Sequence, residues 1–67
     1  MYDLVGVDGN AYSIMGYVTH AMRKEGYTKE EQDAYLAEAM SGDYDNLVAV
    51  SFDMVNRINE ECGYEED

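Results

Sequence analysis

The sequence predicts an all-α fold, a compact three-helix bundle. Apolar residues recur at helical spacing in three segments, no proline interrupts them, and glycines or capping residues separate them. We expect one helical domain over residues 1–62, with helices at about 10–25, 29–41 and 44–62. A short extended arm should precede the bundle, and a disordered acidic tail should follow it at residues 63–67.

An N-terminal arm precedes the first helix and ends at the turn Asp8-Gly9-Asn10. We interpret this arm as an extended stretch or a short strand. Asp8 or Asn10 should cap the first helix, and Gly26 should end it. The core face of this helix follows the i, i+3, i+4, i+7 pattern. It consists of Ala11, Ile14, Met15, Val18, Ala21 and Met22.

A capping box marks the start of the second helix, with Thr28 at the cap and Glu31 three residues later. Ser41 and Gly42 supply the stop signal. The inward face is expected to comprise Gln32, Tyr35, Leu36, Ala39 and Met40.

The third and longest helix should begin around Asp43 and carry an unusually wide apolar sector. Its core stripe comprises Leu47, Ser51, Met54, Val55, Ile58 and Cys62. Val50 and Phe52 lie on opposite flanks and widen the sector to about 200°, against the ~100° of an ordinary surface helix. We expect the arm to cover one flank and a second copy, in a homodimer, to be a candidate for the other.

The charge restricts the partners that this chain can bind. Fifteen acidic and four basic residues in 67 give a formal charge of -11. Nucleic acids and anionic membranes repel such a chain, whereas a basic protein surface attracts it. There is no apolar run of the ~20 residues that span a bilayer, and the first ten residues do not form a signal peptide. A lone cysteine fits a reducing compartment, so a cytoplasmic protein is expected.

No residue pattern predicts catalysis. His20 lies on the polar side of the first helix, and Cys62 follows two glutamates, which disfavour a thiolate nucleophile. The acidic turns at Asp8 and Asp43 lack the spacing of a calcium loop. We therefore expect no enzyme, with no catalytic residue, no metal and no cofactor.

The distribution of the acidic residues suggests a binding function. Twelve of the fifteen lie from Glu30 onward, opposed only by Arg57, whereas residues 1–22 carry two. The hypothesis is a non-enzymatic module whose acidic face engages a basic protein surface, as a nucleic-acid mimic or an inhibitor of a host factor. The simpler alternative is a solubilising surface. The candidate residues are Glu30, Glu31, Asp33, Glu38, Asp43 and Asp45.

Two other functions remain open at this point. A self-assembling structural or accessory protein would use exposed apolar and aromatic side chains, which are enriched at contact surfaces. The candidate residues are Val50, Phe52, Tyr12 and Tyr17. The second alternative is a small-ligand binder at a subunit interface, with tyrosine rings as stacking surfaces.

Two sequence runs carry a family resemblance. The first is Gly6-Val7-Asp8-Gly9-Asn10-Ala11 with Tyr12 and Ile14-Met15-Gly16, and the second is Glu38-Ala39-Met40-Ser41-Gly42-Asp43-Tyr44 with Asn46-Leu47. Together they resemble small bacteriophage and prophage proteins to which no activity is assigned. The resemblance implies a mobile-element origin and carries over no functional residue. By analogy with small acidic phage proteins that bind host proteins, it favours a binding module.

Overall fold

The computed structural model describes residues 2–61 and 63. It contains three helices, α1 (Ala11–Lys24), α2 (Lys29–Ala39) and α3 (Tyr44–Glu61), each packed against the other two. The all-α three-helix prediction is confirmed, and the helix ends agree to within one or two residues. Cys62 and residues 64–67 of the predicted acidic tail lie outside the described residues. Gly63 is the one residue of the predicted tail that is described.

Contacts at the two ends of the bundle give the helix directions. Tyr44, the first residue of α3, donates its hydroxyl to the carbonyl of Gly9, just before α1. At the other end Tyr27, which follows α1, donates its hydroxyl to Glu61, the last residue of α3. The helices α1 and α3 therefore run parallel, and α2, which connects them in the chain, runs in the opposite direction.

One cluster of buried apolar side chains joins the three helices. Its members are Ile14, Met15, Val18, Ala21, Met22, Tyr35, Ala39, Leu47, Val55 and Ile58. Most of the predicted core faces are confirmed, but Met40 is an error, because its side chain is 59% exposed. Met40 follows Ala39, the last residue of α2, and at that end of the bundle its side chain lines an open cavity and is not packed into the core.

The predicted capping residues explain why the helices begin and end where they do. The Asn10 side chain accepts the amide of Tyr12 at 2.8 Å, which makes Asn10 the cap of α1. Both halves of the capping box at Thr28 are formed. At Gly26, with φ of 90°, α1 ends in the bonding pattern of a Schellman motif, in which the next amide, of Tyr27, reaches the carbonyl of Met22 at 2.9 Å.

The segment before α1 lies along the groove between α1 and α3. It forms no strand in its described part, residues 2–10, so the strand considered from sequence is not present. Tyr2 donates its amide to the Asn59 side chain at 2.9 Å and accepts from the Asn59 side-chain amide at 2.8 Å. The amide of Asp3 donates to the Tyr17 hydroxyl at 2.9 Å. Because Gly9 binds Tyr44 at the far end of α3, the segment runs antiparallel to that helix.

Candidate functional site

A groove of about 460 Å³ lies between α2 and α3, on the side of α3 away from the N-terminal segment. Both helices supply its walls, and the loop before α2 closes one end. The residues that line it are Tyr27, Glu31, Ala34, Tyr35, Glu38, Val50, Asp53, Met54 and Arg57. We call this cavity the α2–α3 groove.

The floor of the α2–α3 groove is apolar and fixed. Tyr35 is 3% exposed, and its hydroxyl shares a 2.6 Å hydrogen bond with the buried Ser51 hydroxyl. Burial raises the pKa of Tyr35, and the hydrogen bond to Ser51 offsets part of that rise. The hydroxyl of Tyr35 is thus engaged within the protein, and the buried ring supports the groove from beneath.

Three carboxylates line the groove above this floor. Glu31 and Glu38 stand seven residues apart on α2, which separates them by about 10 Å along the helix. Asp53 faces them from α3. Within the described part of the chain the one ion pair joins Arg57 to Glu61, so none of these three carboxylates is neutralised by a salt bridge. One oxygen of Glu31 accepts the amide and the hydroxyl of Thr28 in the capping box.

Arg57 lies at one end of the groove and is already engaged. Its Nε lies 3.3 Å from a carboxylate oxygen of Glu61, and its Cζ lies 5.9 Å from the centre of the Tyr27 ring. The Tyr27 hydroxyl first, and then Arg57, lower the pKa of Glu61. The hydrogen bond and charge of Glu61 in turn raise the pKa of Arg57. This cation is therefore a poor anchor for an anionic ligand.

The structure separates the six predicted acidic residues. Glu31 and Glu38 line the α2–α3 groove, whereas Asp43 accepts the amide of Asn46 at 2.9 Å in the first turn of α3. The remaining three are exposed and do not line this groove: Glu30, Asp33 and Asp45. Sequence reasoning missed Asp53 as a site residue.

The residues predicted for self-association also lie in different places. Val50 is half-buried in the α2–α3 groove, and Phe52 is 44% exposed on the other flank of α3. Tyr12 is 80% exposed. Tyr17 has partners within the chain, because it accepts the amide of Asp3 and its ring meets that of Tyr2 edge-on at 6.3 Å.

A second cavity, of about 310 Å³, opens where the first turn of α1 meets the α2–α3 corner. We call it the corner hollow. Its lining residues are Ala11, Tyr12, Met15, Ala39, Met40, Gly42, Asp43, Tyr44 and Leu47. Glu38 of the groove and Met40 of the hollow lie two residues apart, so the two cavities lie on different sides of the end of α2.

Comparisons with known proteins add no assignment. No family model, curated protein or solved structure matches the chain. The described residues contain no group of three His, Cys, Asp or Glu side chains placed to hold a metal ion, and no helix among them could cross a membrane. The two cavities and the side chains that line them are therefore the features that bear on function.

Proposed function

We propose that the protein is a non-enzymatic binding module that engages a basic protein surface through the α2–α3 groove. The observation that carries this proposal is the arrangement of Glu31, Glu38 and Asp53, three carboxylates without ion pairs in the described chain, around an apolar floor. Lysine and arginine side chains have an apolar stem and a cationic end, and so complement such a groove.

The charge balance supports a cationic partner over a neutral one. The groove contains three carboxylates and one guanidinium, an excess of two negative charges, and the whole chain carries a formal -11. A field of this sign attracts basic proteins over distance and raises their association rate. Salt screens such attraction, so binding should weaken as ionic strength rises.

The spacing of the carboxylates favours a partner of particular geometry. The separation of about 10 Å between Glu31 and Glu38 corresponds to positions i and i+7 of a helix, or to i and i+3 of an extended segment. Apolar side chains between the two cations would meet Val50 and Met54 on the other wall. A basic amphipathic segment meets both requirements.

The biological setting proposed here follows from charge and from the family resemblance. A basic protein site that ordinarily binds nucleic acid is the kind of surface that would accept this acidic chain, which would then act as a mimic or an inhibitor. The resemblance to phage and prophage proteins supports a mobile-element origin, a cytoplasmic site of action and a host protein as the partner.

A peptide titration with two matched variants tests the groove. The probe is a helical peptide with lysines at i and i+7 and leucines between them. The groove variant carries Glu31→Gln, Glu38→Gln and Asp53→Asn. The control carries Glu30→Gln, Asp33→Asn and Asp45→Asn, which remove the same charge elsewhere. Glutamine at position 31 keeps the capping box.

Calorimetry at physiological salt should show a loss of about tenfold or more in affinity for the groove variant, as expected when charged contacts are removed. The control should lose only the smaller, salt-sensitive share that comes from overall charge. Equal losses in the two variants would mean that the groove has no special role, and the proposal would be abandoned.

A further inference from the structure

The exposed apolar side chains of this protein converge on the corner hollow. Of the five large hydrophobic side chains that are exposed in the described chain, three line it: Tyr12 at 80%, Met40 at 59% and Tyr44 at 49%. The other two, Val5 and Phe52, lie elsewhere. Clusters of this kind on a small protein mark interaction sites.

The walls of the hollow are fixed before any ligand arrives. The Tyr44 hydroxyl donates to the Gly9 carbonyl at 2.5 Å, which ties the start of α3 to the start of α1. The Asn46 side chain donates to the carbonyl of Glu38 at 3.0 Å, which fixes the corner between α2 and α3. A preformed cavity loses less entropy on binding than one that must assemble.

Charge and ring chemistry define the occupant. Among the described residues Asp43 is the one charged residue on the lining, and it is exposed. The rings of Tyr12 and Tyr44 present electron-rich faces, which attract cations. The floor is apolar, with Met15 and Leu47 buried beneath it. A suitable ligand is therefore apolar along its stem, flat at its end and positively charged.

We propose that the corner hollow binds an arginine side chain of a partner protein. The aliphatic stem lies on the apolar floor, and the guanidinium stacks on a tyrosine ring and faces the Asp43 carboxylate. Arginine suits this site better than lysine, because its planar group stacks on aromatic faces and is more weakly hydrated. The inference rests on the proposed function only for the source of the arginine, a basic protein.

The test is an amide NMR titration of the full chain with N-acetyl-arginine amide. The matched probes are the citrulline analogue, which has nearly the same shape without the charge, and the lysine analogue, which has the charge without the plane. We expect shifts centred on Tyr12, Met40, Asp43 and Tyr44. Arginine should bind about fivefold more tightly than citrulline, the factor expected for an exposed cation–aromatic contact.

Three variants separate the ring from the charge. Tyr12→Ala should lower arginine affinity about threefold to fivefold, while Tyr12→Phe should retain it, because the ring is the contact. Asp43→Asn removes the carboxylate and keeps a helix cap, so it should weaken arginine and leave citrulline unchanged. Because Tyr12 is 80% exposed, its replacement should leave the fold intact, and the amide spectrum of each free variant checks this.

Three outcomes would overturn the inference. Equal binding of arginine and citrulline would remove the cationic preference. Shifts confined to Glu31, Glu38 and Asp53 would reject the hollow and leave the α2–α3 groove in place. Shifts at Tyr12 and Tyr44 that follow protein concentration without ligand would show that a second copy fills the hollow. Whether the proposed function of the α2–α3 groove fails is decided separately, by the titration with the lysine–leucine peptide.

Discussion

The two sides of α3 differ in what covers them. On the α1 side the N-terminal segment fills the space between α1 and α3. There Asn59, only 7% exposed, forms hydrogen bonds with both the amide and the carbonyl of Tyr2. On the α2 side the α2–α3 groove, of about 460 Å³, is not covered by another segment of the described chain, and Asp53 and Arg57 are exposed along it. The same helix thus presents a covered side and an open side.

We expect this difference to separate effects on stability from effects on binding. On the covered side polar groups have partners within the chain, and no buried side-chain nitrogen or oxygen in the described residues lacks a hydrogen bond. On the open side the carboxylates of Glu31, Glu38 and Asp53 have no cationic partner within 4.0 Å in the described chain. We expect substitutions on the covered side to change the free energy of unfolding, and substitutions of the open rim to change affinity.

The largest effect on stability is expected at Asn59. Asn59→Ala removes both hydrogen bonds to Tyr2 and should lower the free energy of unfolding by about 1–3 kcal/mol. Asn56→Ala is the matched control, because Asn56 lies one turn earlier on α3 and is exposed. Chemical denaturation should show almost no loss for the control, and similar losses in the two variants would contradict the covered-side assignment.

The next largest effect concerns the bond beneath the open groove. Tyr35→Phe leaves the fully buried Ser51 hydroxyl without this partner, and Ser51→Ala does the same to Tyr35. Each change should cost about 1–2 kcal/mol, and the double variant should cost clearly less than the two costs added together. Additive losses in a double-mutant cycle would show that the two hydroxyls do not stabilise each other.

The sequence could predict the helices because their signals are local. The capping box at Thr28 and the stop at Gly26 depend on residues within a few positions, and the structure contains both. Apolar periodicity found most of the core for the same reason. It failed at Met40, since periodicity places a residue on a helical face but does not reveal that the side chain at the end of α2 is left exposed.

The covered side and the candidate site depend on contacts that local patterns do not encode. Tyr2 and Asn59 are 57 residues apart, and a single asparagine on a helix usually indicates a solvated position. The six predicted acids do not share one face, because α2 turns Glu31 and Glu38 toward α3. The spacing of Val50, Asp53, Met54 and Arg57 on one face of α3 was the available signal for the groove.

Two glycines provide a smaller test, one at the corner between α2 and α3 and one within α1. A Cβ on Gly42 would lie 2.9 Å from the Cβ of Asn46, so Gly42→Ala must displace the side chain that bonds Glu38. We expect a loss of about 1 kcal/mol or more. In mid-α1, Gly16 has nothing within 4 Å of such a Cβ, so Gly16→Ala should add about 0.5–1 kcal/mol. Thermal melts should move in opposite directions, and a shift of the same sign in both would contradict this account of the corner.

The smallest effect on stability is expected at Glu61, near the end of the α2–α3 groove that the loop before α2 closes. This effect depends on pH. The Tyr27 hydroxyl and Arg57 lower the pKa of Glu61, so the folded protein holds this proton more weakly than the unfolded chain. The stabilisation is present at neutral pH and is lost as pH falls through that lowered pKa. Glu61→Gln should therefore destabilise slightly at neutral pH, and its difference from the parent should vanish in acid.

Glu60→Gln is the control, because removing an exposed negative charge at a helix C-terminus should stabilise slightly. Melting curves at several pH values separate the two, and a Glu61→Gln difference that stays constant with pH would mean that the contacts with Tyr27 and Arg57 do not favour its charged form.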